Sequence, residues 1–319
     1  MSKPKLAIYW AASCGGCDIA ILDIEAKILD VAAAFDLALW PCAADFKKKD
    51  VEAMPEGSID LCLFNGGIRS SENLEMAKLL RSRSKVLVAF GSCAHEGGIP
   101  GLANQFTHDE LFASSYRETP STDNAAGVLP LTHSAVKEGD LELPVIETTL
   151  KTLDQVVDVD YYIPGCPPQP TQIWAVMETI IQGKPLPPKG SVVGAGDKTC
   201  CEECPRTRDE KKLRHFRRPF EFFPDPAQCL LDQGIVCMGP ATRSGCGGLC
   251  VAVGVPCRGC YGPPAGVKDQ GAKMVSALAS VIDSQDPAEI DAIIAEIADP
   301  VGTFTRFSLA SSMFKRAGS

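Results

Sequence analysis

Apolar and polar positions alternate along the first half of the chain in two rhythms. Lys5–Trp10, Asp36–Trp40, Ile59–Phe64, Lys85–Phe90 and Tyr161–Ile163 are short apolar runs, which predict strands. Between them, Asp18–Ala34, Ser71–Arg83 and Thr171–Gln182 have the length and apolar spacing of helices that cross from one strand to the next. Strand and helix in turn predict a parallel, doubly wound sheet. The stretch from about Gly101 to Pro144, rich in Thr, Ser, Asn and Gly, is too long for an ordinary connection and predicts a partner-contacting insertion.

The rhythm stops after Gly183. Lys184-Pro185-Leu186-Pro187-Pro188-Lys189-Gly190 reads as a linker. The chain is therefore expected to divide into a flavodoxin-like α/β domain, residues 1–185, and a smaller, irregular domain, residues 186–319. In the latter only Lys273–Ile282 and Ala288–Ile297 return to helical spacing, each charged on one face. No apolar run reaches the roughly 18 residues of a membrane span. The opening Met-Ser-Lys-Pro-Lys has neither a twin arginine nor a cleavage site, so a cytoplasmic location is expected.

With 319 residues, 45% of them hydrophobic, the chain can fill one sizeable core and an annex. A net charge of -9 argues against a nucleic-acid partner, which would call for a basic stripe. The fifteen cysteines change the picture more. A cytoplasmic chain does not ordinarily hold them as disulfides, and four histidines are too few for a His-rich site. Thiolates must then supply most ligands, and soft thiolates favour iron-sulfur clusters or zinc.

Two constellations stand out. Cys14-Gly15-Gly16-Cys17 follows the first strand, Cys93 the fourth and Cys166 the fifth. In an open parallel sheet the loops at the carboxyl ends of strands share one edge, so these four thiols can converge. The glycines allow close backbone approach, and the helix start near Cys17 favours an anionic guest. Taken alone, Cys-Gly-Gly-Cys would also suit a redox dithiol. Cys42 and Cys62 lack such a setting and read as small core residues. Downstream, Cys200, Cys201, Cys204, Cys229, Cys237, Cys246, Cys250, Cys257 and Cys260 suffice for two four-cysteine sites with one thiol left over. Structural zinc is the competing explanation there. His95 and His108 read as hydrogen-bonding structural residues, and Arg206–Arg218, interleaved with Asp209 and Glu210, as a solvated face.

Nearly the whole chain resembles the small subunits of NiFe hydrogenases. Cys14-x-x-Cys17, Gly91-Ser92-Cys93-Ala94 with Gly97-Gly98, and Pro164-Gly165-Cys166-Pro167-Pro168 are similar to the proximal-cluster motifs of that family. Cys237-Met238-Gly239-Pro240, Cys246 and Pro256-Cys257-Arg258-Gly259-Cys260 resemble its medial and distal region, nearest to the methyl-viologen-reducing type that works with heterodisulfide reductase in methanogenesis. The resemblance implies an oxidoreductase subunit with three 4Fe-4S clusters and no nickel of its own. It would relay electrons from a large subunit holding the NiFe site to a small iron-sulfur adaptor and heterodisulfide reductase. The proximal cluster would take Cys14, Cys17, Cys93 and Cys166, and the medial one Cys246, Cys257 and Cys260. The distal cluster would take Cys204, Cys229, Cys237 and a ligand just upstream.

Three departures from the family pattern carry expectations. Cys201 stands where many relatives have a histidine, and its two-residue gap to Cys204 favours it over Cys200 as the distal ligand. Cys250 stands where many have proline, so the medial cluster can have four cysteines. All-thiolate ligation keeps the relay at low potential. Asn65-Gly66 replaces a common Glu-Gly, leaving that carboxylate's role unfilled at this position. A quinone-reductase-type subunit, which carries the N-terminal cluster alone, would leave nine downstream cysteines idle.

Overall fold

The computed structural model of the chain describes residues 3–209 and 212–314. Six strands form one parallel sheet: β1 (Lys5–Trp10), β2 (Asp36–Leu39), β3 (Ile59–Asn65), β4 (Ser84–Phe90), β5 (Tyr161–Ile163) and β6 (Ser191–Val192). Their order across the sheet is β2-β1-β3-β4-β5-β6, the flavodoxin-like order with one short strand added beyond the Pro-rich linker. Between β1 and β3 the winding direction reverses, which opens a crevice at the carboxyl edge.

Successive side chains of a strand point to opposite faces, and helices cover both. Leu6, Ile8, Leu63, Val88 and Phe90 pack against α1 (Gly16–Leu22), α2 (Ile28–Ala34) and α4 (Pro170–Ile181). On the other face Ala7, Cys62, Phe64, Leu87 and Ala89 meet Met76, Ala77 and Leu80 of α3 (Ser71–Arg83). Leu80 has no exposed surface, so its truncation to Ala costs about 2–5 kcal/mol. The start of α3 is set by Ser70, whose hydroxyl accepts from the Asn73 amide at 3.2 Å.

The expected helix Asp18–Ala34 is broken. α1 ends at Leu22, and Glu25, at φ +59°, starts a separate turn before α2. Ile21, Ile24 and Val31 remain buried through the break, so apolar spacing alone could not reveal it. The long insertion contains an antiparallel pair, His133–Val136 with Gly139–Glu142, and leaves Val128, Leu131, Leu141 and Leu143 more than half exposed.

The second half has its own core, built from Leu230, Leu231, Ile235, Met274 and Leu278 together with Cys200, Cys237 and Cys257. Three helices close it: α5 (Gln270–Ala279), α6 (Pro287–Ala295) and α7 (Pro300–Phe304). It is joined to the sheet edge by the Ser92 hydroxyl, which donates to the Cys260 carbonyl. Tyr261 adds a second tie, its hydroxyl accepting from the Gln169 amide at 3.2 Å and donating to Gln172 at 2.7 Å. Among the described residues, no helix is long and apolar enough to cross a membrane.

Candidate metal centres

Cys14 and Cys17 follow β1, Cys93 follows β4 and Cys166 follows β5, and the structure brings all four to one corner of the carboxyl edge. Burial pushes the Cys17 thiol far above its ordinary value, and the neighbouring Cys93, Cys166 and Cys14 push it further. Burial takes Cys93 up to about 12, with Cys166 and Cys14 adding to the shift. These shifts favour neutral thiols, and only a cationic metal guest would hold all four as thiolates. Glycines make the room: a Cβ on Gly91 would stand 2.3 Å from the Cys17 sulfur, and one on Gly98 2.5 Å from that of Cys93. Cys17 and Cys93 are buried whereas Cys14 and Cys166 are exposed, so the corner has one open side.

Beneath it lies a buried polar network. Asn65 donates to Asp18 Oδ2 at 2.7 Å, the Trp40 indole donates to Oδ1 at 3.0 Å, and the Ser13 hydroxyl donates to Asn65 Oδ1 at 3.1 Å. A carboxylate at position 65 would face that of Asp18 with no cation between them, which is the physical sense of an amide there.

Cys201, Cys204, Cys229 and Cys237 line a small buried hollow of about 20 Å³. Gly239 again leaves space, since a Cβ would come within 3.0 Å of the Cys201 sulfur and 3.7 Å of that of Cys237. Burial raises Cys201 to about 11 and Cys237 to about 12. Cys200, adjacent in sequence, also lines this hollow, but its thiol hydrogen-bonds to Cys246 and Cys257. Sequence reasoning left Cys200 idle because two neighbouring cysteines look alike until the local turn decides which sulfurs each one meets.

The third group is Cys246, Cys250, Cys257 and Cys260, joined by Cys200. Glu203 shapes it, its carboxylate accepting from the Gly245 amide at 2.8 Å and the Gly247 amide at 2.9 Å. Two contacts tie the groups together. The Cys166 amide hydrogen-bonds to Cys260, and the Cys257 amide donates to the Cys237 sulfur at 3.3 Å.

Among the lesser expectations, some hold and others are revised. Cys62 is a core residue with no exposure, but Cys42 is exposed, in the turn where the chain leaves β2. Arg206 is buried rather than solvated, and its guanidinium donates to the carbonyls of Val251, Asp225 and Gln228. Glu210 lies outside the described residues. His95 packs against Tyr162, with ring centroids 4.7 Å apart, and stands 3.2 Å from Glu96; His108 bonds the Glu147 carbonyl at 2.7 Å. Burial holds His95 down at about 4 and raises Glu96 to about 7.

The family described as NADH ubiquinone oxidoreductase, 20 Kd subunit, matches residues 14–180. The chain is 41% identical to the iron-sulfur subunit of the F420-non-reducing hydrogenase of Archaeoglobus profundus, over 98% of both chains. It is 36% identical to the corresponding subunit of the F420-non-reducing hydrogenase of Methanothermobacter marburgensis, over 98% of this chain and 96% of that one. Among solved structures, the NiFeSe hydrogenase of Dm. baculatum matches 83% of this chain and 96% of its own with a TM-score of 0.51 at 18% identity, a likeness of fold.

Proposed function

Because the chain belongs to the family of F420-non-reducing hydrogenase iron-sulfur subunits, the small subunits of NiFe-type hydrogenases, we propose that it relays electrons through three 4Fe-4S clusters. The proximal cluster would be held by Cys14, Cys17, Cys93 and Cys166, the medial by Cys246, Cys250, Cys257 and Cys260, and the distal by Cys201, Cys204, Cys229 and Cys237. A bound cluster of this kind takes up and returns one electron at a time. The observation that carries the reading is the convergence of three sulfur groups joined in series by the Cys166–Cys260 and Cys257–Cys237 hydrogen bonds.

The chain's own residues set the order and the environment. Gly91, Gly98 and Gly239 keep side chains out of the spaces a cluster needs. Amide donors aimed at sulfur stabilise the extra electron of a reduced centre and so raise its potential. All-cysteine ligation acts in the opposite sense, which suits a low-potential acceptor.

The open side of the proximal corner, with Cys14 and Cys166 exposed, is the docking face for a large subunit that splits hydrogen. Trp10, Ile19 and Phe106, each 43–59% exposed, supply apolar surface on the same domain, and the insertion supplies more. Electrons leaving the distal group would pass to an iron-sulfur adaptor and heterodisulfide reductase. The relatives' place in F420-non-reducing hydrogenases supports the hydrogen-splitting partner.

Anaerobic co-purification with partners, followed by iron and acid-labile sulfide analysis, tests the proposal. About twelve iron atoms per chain are expected. A value near four would leave the proximal cluster alone and end the three-cluster reading. Hydrogen-dependent reduction of a heterodisulfide by the reconstituted complex tests the acceptor separately.

A further inference from the structure

Five cysteine sulfurs gather at the medial group, where a four-iron centre takes four. Cys246, Cys250, Cys257 and Cys260 come from one stretch of chain; Cys200 arrives from another. It is 2% exposed, and its amide donates to the Thr242 carbonyl at 2.7 Å. The Thr242 hydroxyl in turn donates to the Met238 carbonyl at 2.6 Å, which fixes the backbone that holds Cys200. Cys200 packs in the second core, yet its thiol also hydrogen-bonds to both Cys246 and Cys257, which space-filling does not require.

Cys250 is the most weakly held of the five. It is exposed, and it sits on the single-turn helix Leu249–Ala252, whose neighbours Leu249 and Val253 are 53% and 78% exposed. Short, exposed elements open locally at little cost. A buried alternative sulfur lies against the other ligands whenever that turn opens.

We propose that Cys200 is a standby ligand of the medial centre, taking over the iron that Cys250 releases. One iron-sulfur bond, to Cys250, breaks and one, to Cys200, forms. The proton of the Cys200 thiol passes to the freed Cys250 thiolate, directly or through solvent, and no electron changes hands. The exchange preserves the fourth iron, which would otherwise be lost to leave a three-iron centre. It rests on the medial assignment proposed above.

The test uses the anaerobically purified hydrogenase complex carrying Cys250→Ala, Cys200→Ala or both substitutions, read by iron content and by electron paramagnetic resonance of the oxidised protein. Each single variant should keep about twelve irons per chain and give no three-iron signal. The double variant should give that signal at close to one spin per chain and lose about one iron. A stoichiometric three-iron signal in Cys250→Ala alone overturns the proposal, as does a four-iron centre persisting in the double variant. Should the double variant fail to assemble, Cys200→Ser in the Cys250→Ala background replaces it. An oxygen ligand would then change the line shape of the reduced medial centre, whereas an unchanged line shape refutes ligation by residue 200. Wild-type protein with iron well below twelve would instead refute the medial assignment itself.

Discussion

Replacing Gly91 with alanine tests whether the proximal corner is built around a guest. Gly91 sits at φ +83°, and an added Cβ would lie 2.3 Å from the Cys17 sulfur, where ordinary contact begins near 3.4 Å. The sulfur must therefore move by about 1 Å, twice the roughly 0.5 Å tolerance of a preorganised site. With ψ +164° the Gly91 backbone also lies in a region essentially confined to glycine, which adds roughly 1–3 kcal/mol of strain for any residue with a Cβ. Gly183→Ala serves as a positive-φ control without the clash, because Gly183 is at φ +62° with nothing within 4 Å of its Cβ. We expect Gly91→Ala to lose about four of about twelve irons and to fail in delivering electrons from hydrogen to viologen. Gly183→Ala should keep its iron and lose only a few degrees of thermal stability. Full iron and an unaltered proximal signal in Gly91→Ala would refute the reasoning.

Cys201→Ala should remove the distal centre and stop electron delivery to the physiological acceptor, while hydrogen isotope exchange on the large subunit continues; unchanged delivery would take Cys201 off the ligand set. Glu96→Gln bears on pH. With its carboxyl raised from 4.5 to about 7 by burial, Glu96 contributes stability that is fully present below pH 4.5 and is lost as pH rises through 7. The neutral variant should therefore gain on wild type by up to roughly 3 kcal/mol at pH 8 and by little at pH 5, read as the difference in anaerobic thermal midpoint. A gain that grows toward acid would contradict the burial argument. Glu203→Ala should cost about 1–3 kcal/mol by unpairing the Gly245 and Gly247 amides and should speed medial iron loss in air. Glu202→Ala, on a side chain 57% exposed, should behave as wild type in the same assay.

What could be read from the sequence followed from how strongly each element repeats its pattern. β1, β5 and α3 have the bounds expected from their apolar runs, because a strand covered on both faces is apolar throughout and Ser70 marks where α3 begins. β6 was missed: two residues, Ser191 and Val192, are too few to display a period, and they lie beyond a Pro-rich stretch that looks like the end of a domain. Convergence of Cys14, Cys17, Cys93 and Cys166 was legible because parallel sheets place such loops on one edge. Which sulfurs Cys200 and Cys201 meet was not, since it depends on the local turn, Cys200–Glu203, that no periodicity encodes.

The loop Cys257-Arg258-Gly259-Cys260 explains why the relay, on the proposed reading, runs in one order. Cys260 receives a hydrogen bond from the Cys166 amide of the proximal group, and the Cys257 amide donates to Cys237 of the distal group. Both links thus meet within four residues, at the group between the other two. Gln270 fixes that loop by donating to the Gly259 carbonyl at 2.9 Å, and a Cβ on Gly259, at φ +96°, would come within 3.1 Å of the same side chain. A shift of this loop would move its sulfurs away from both neighbours together, so its rigidity serves both transfers. On the proposed reading the medial group thus stands between the other two in the relay. Loosening the loop with Gln270→Ala should slow transfer at both links in proportion, as measured by freeze-quench reduction of each centre, and slowing of one alone would show that the two contacts are independent.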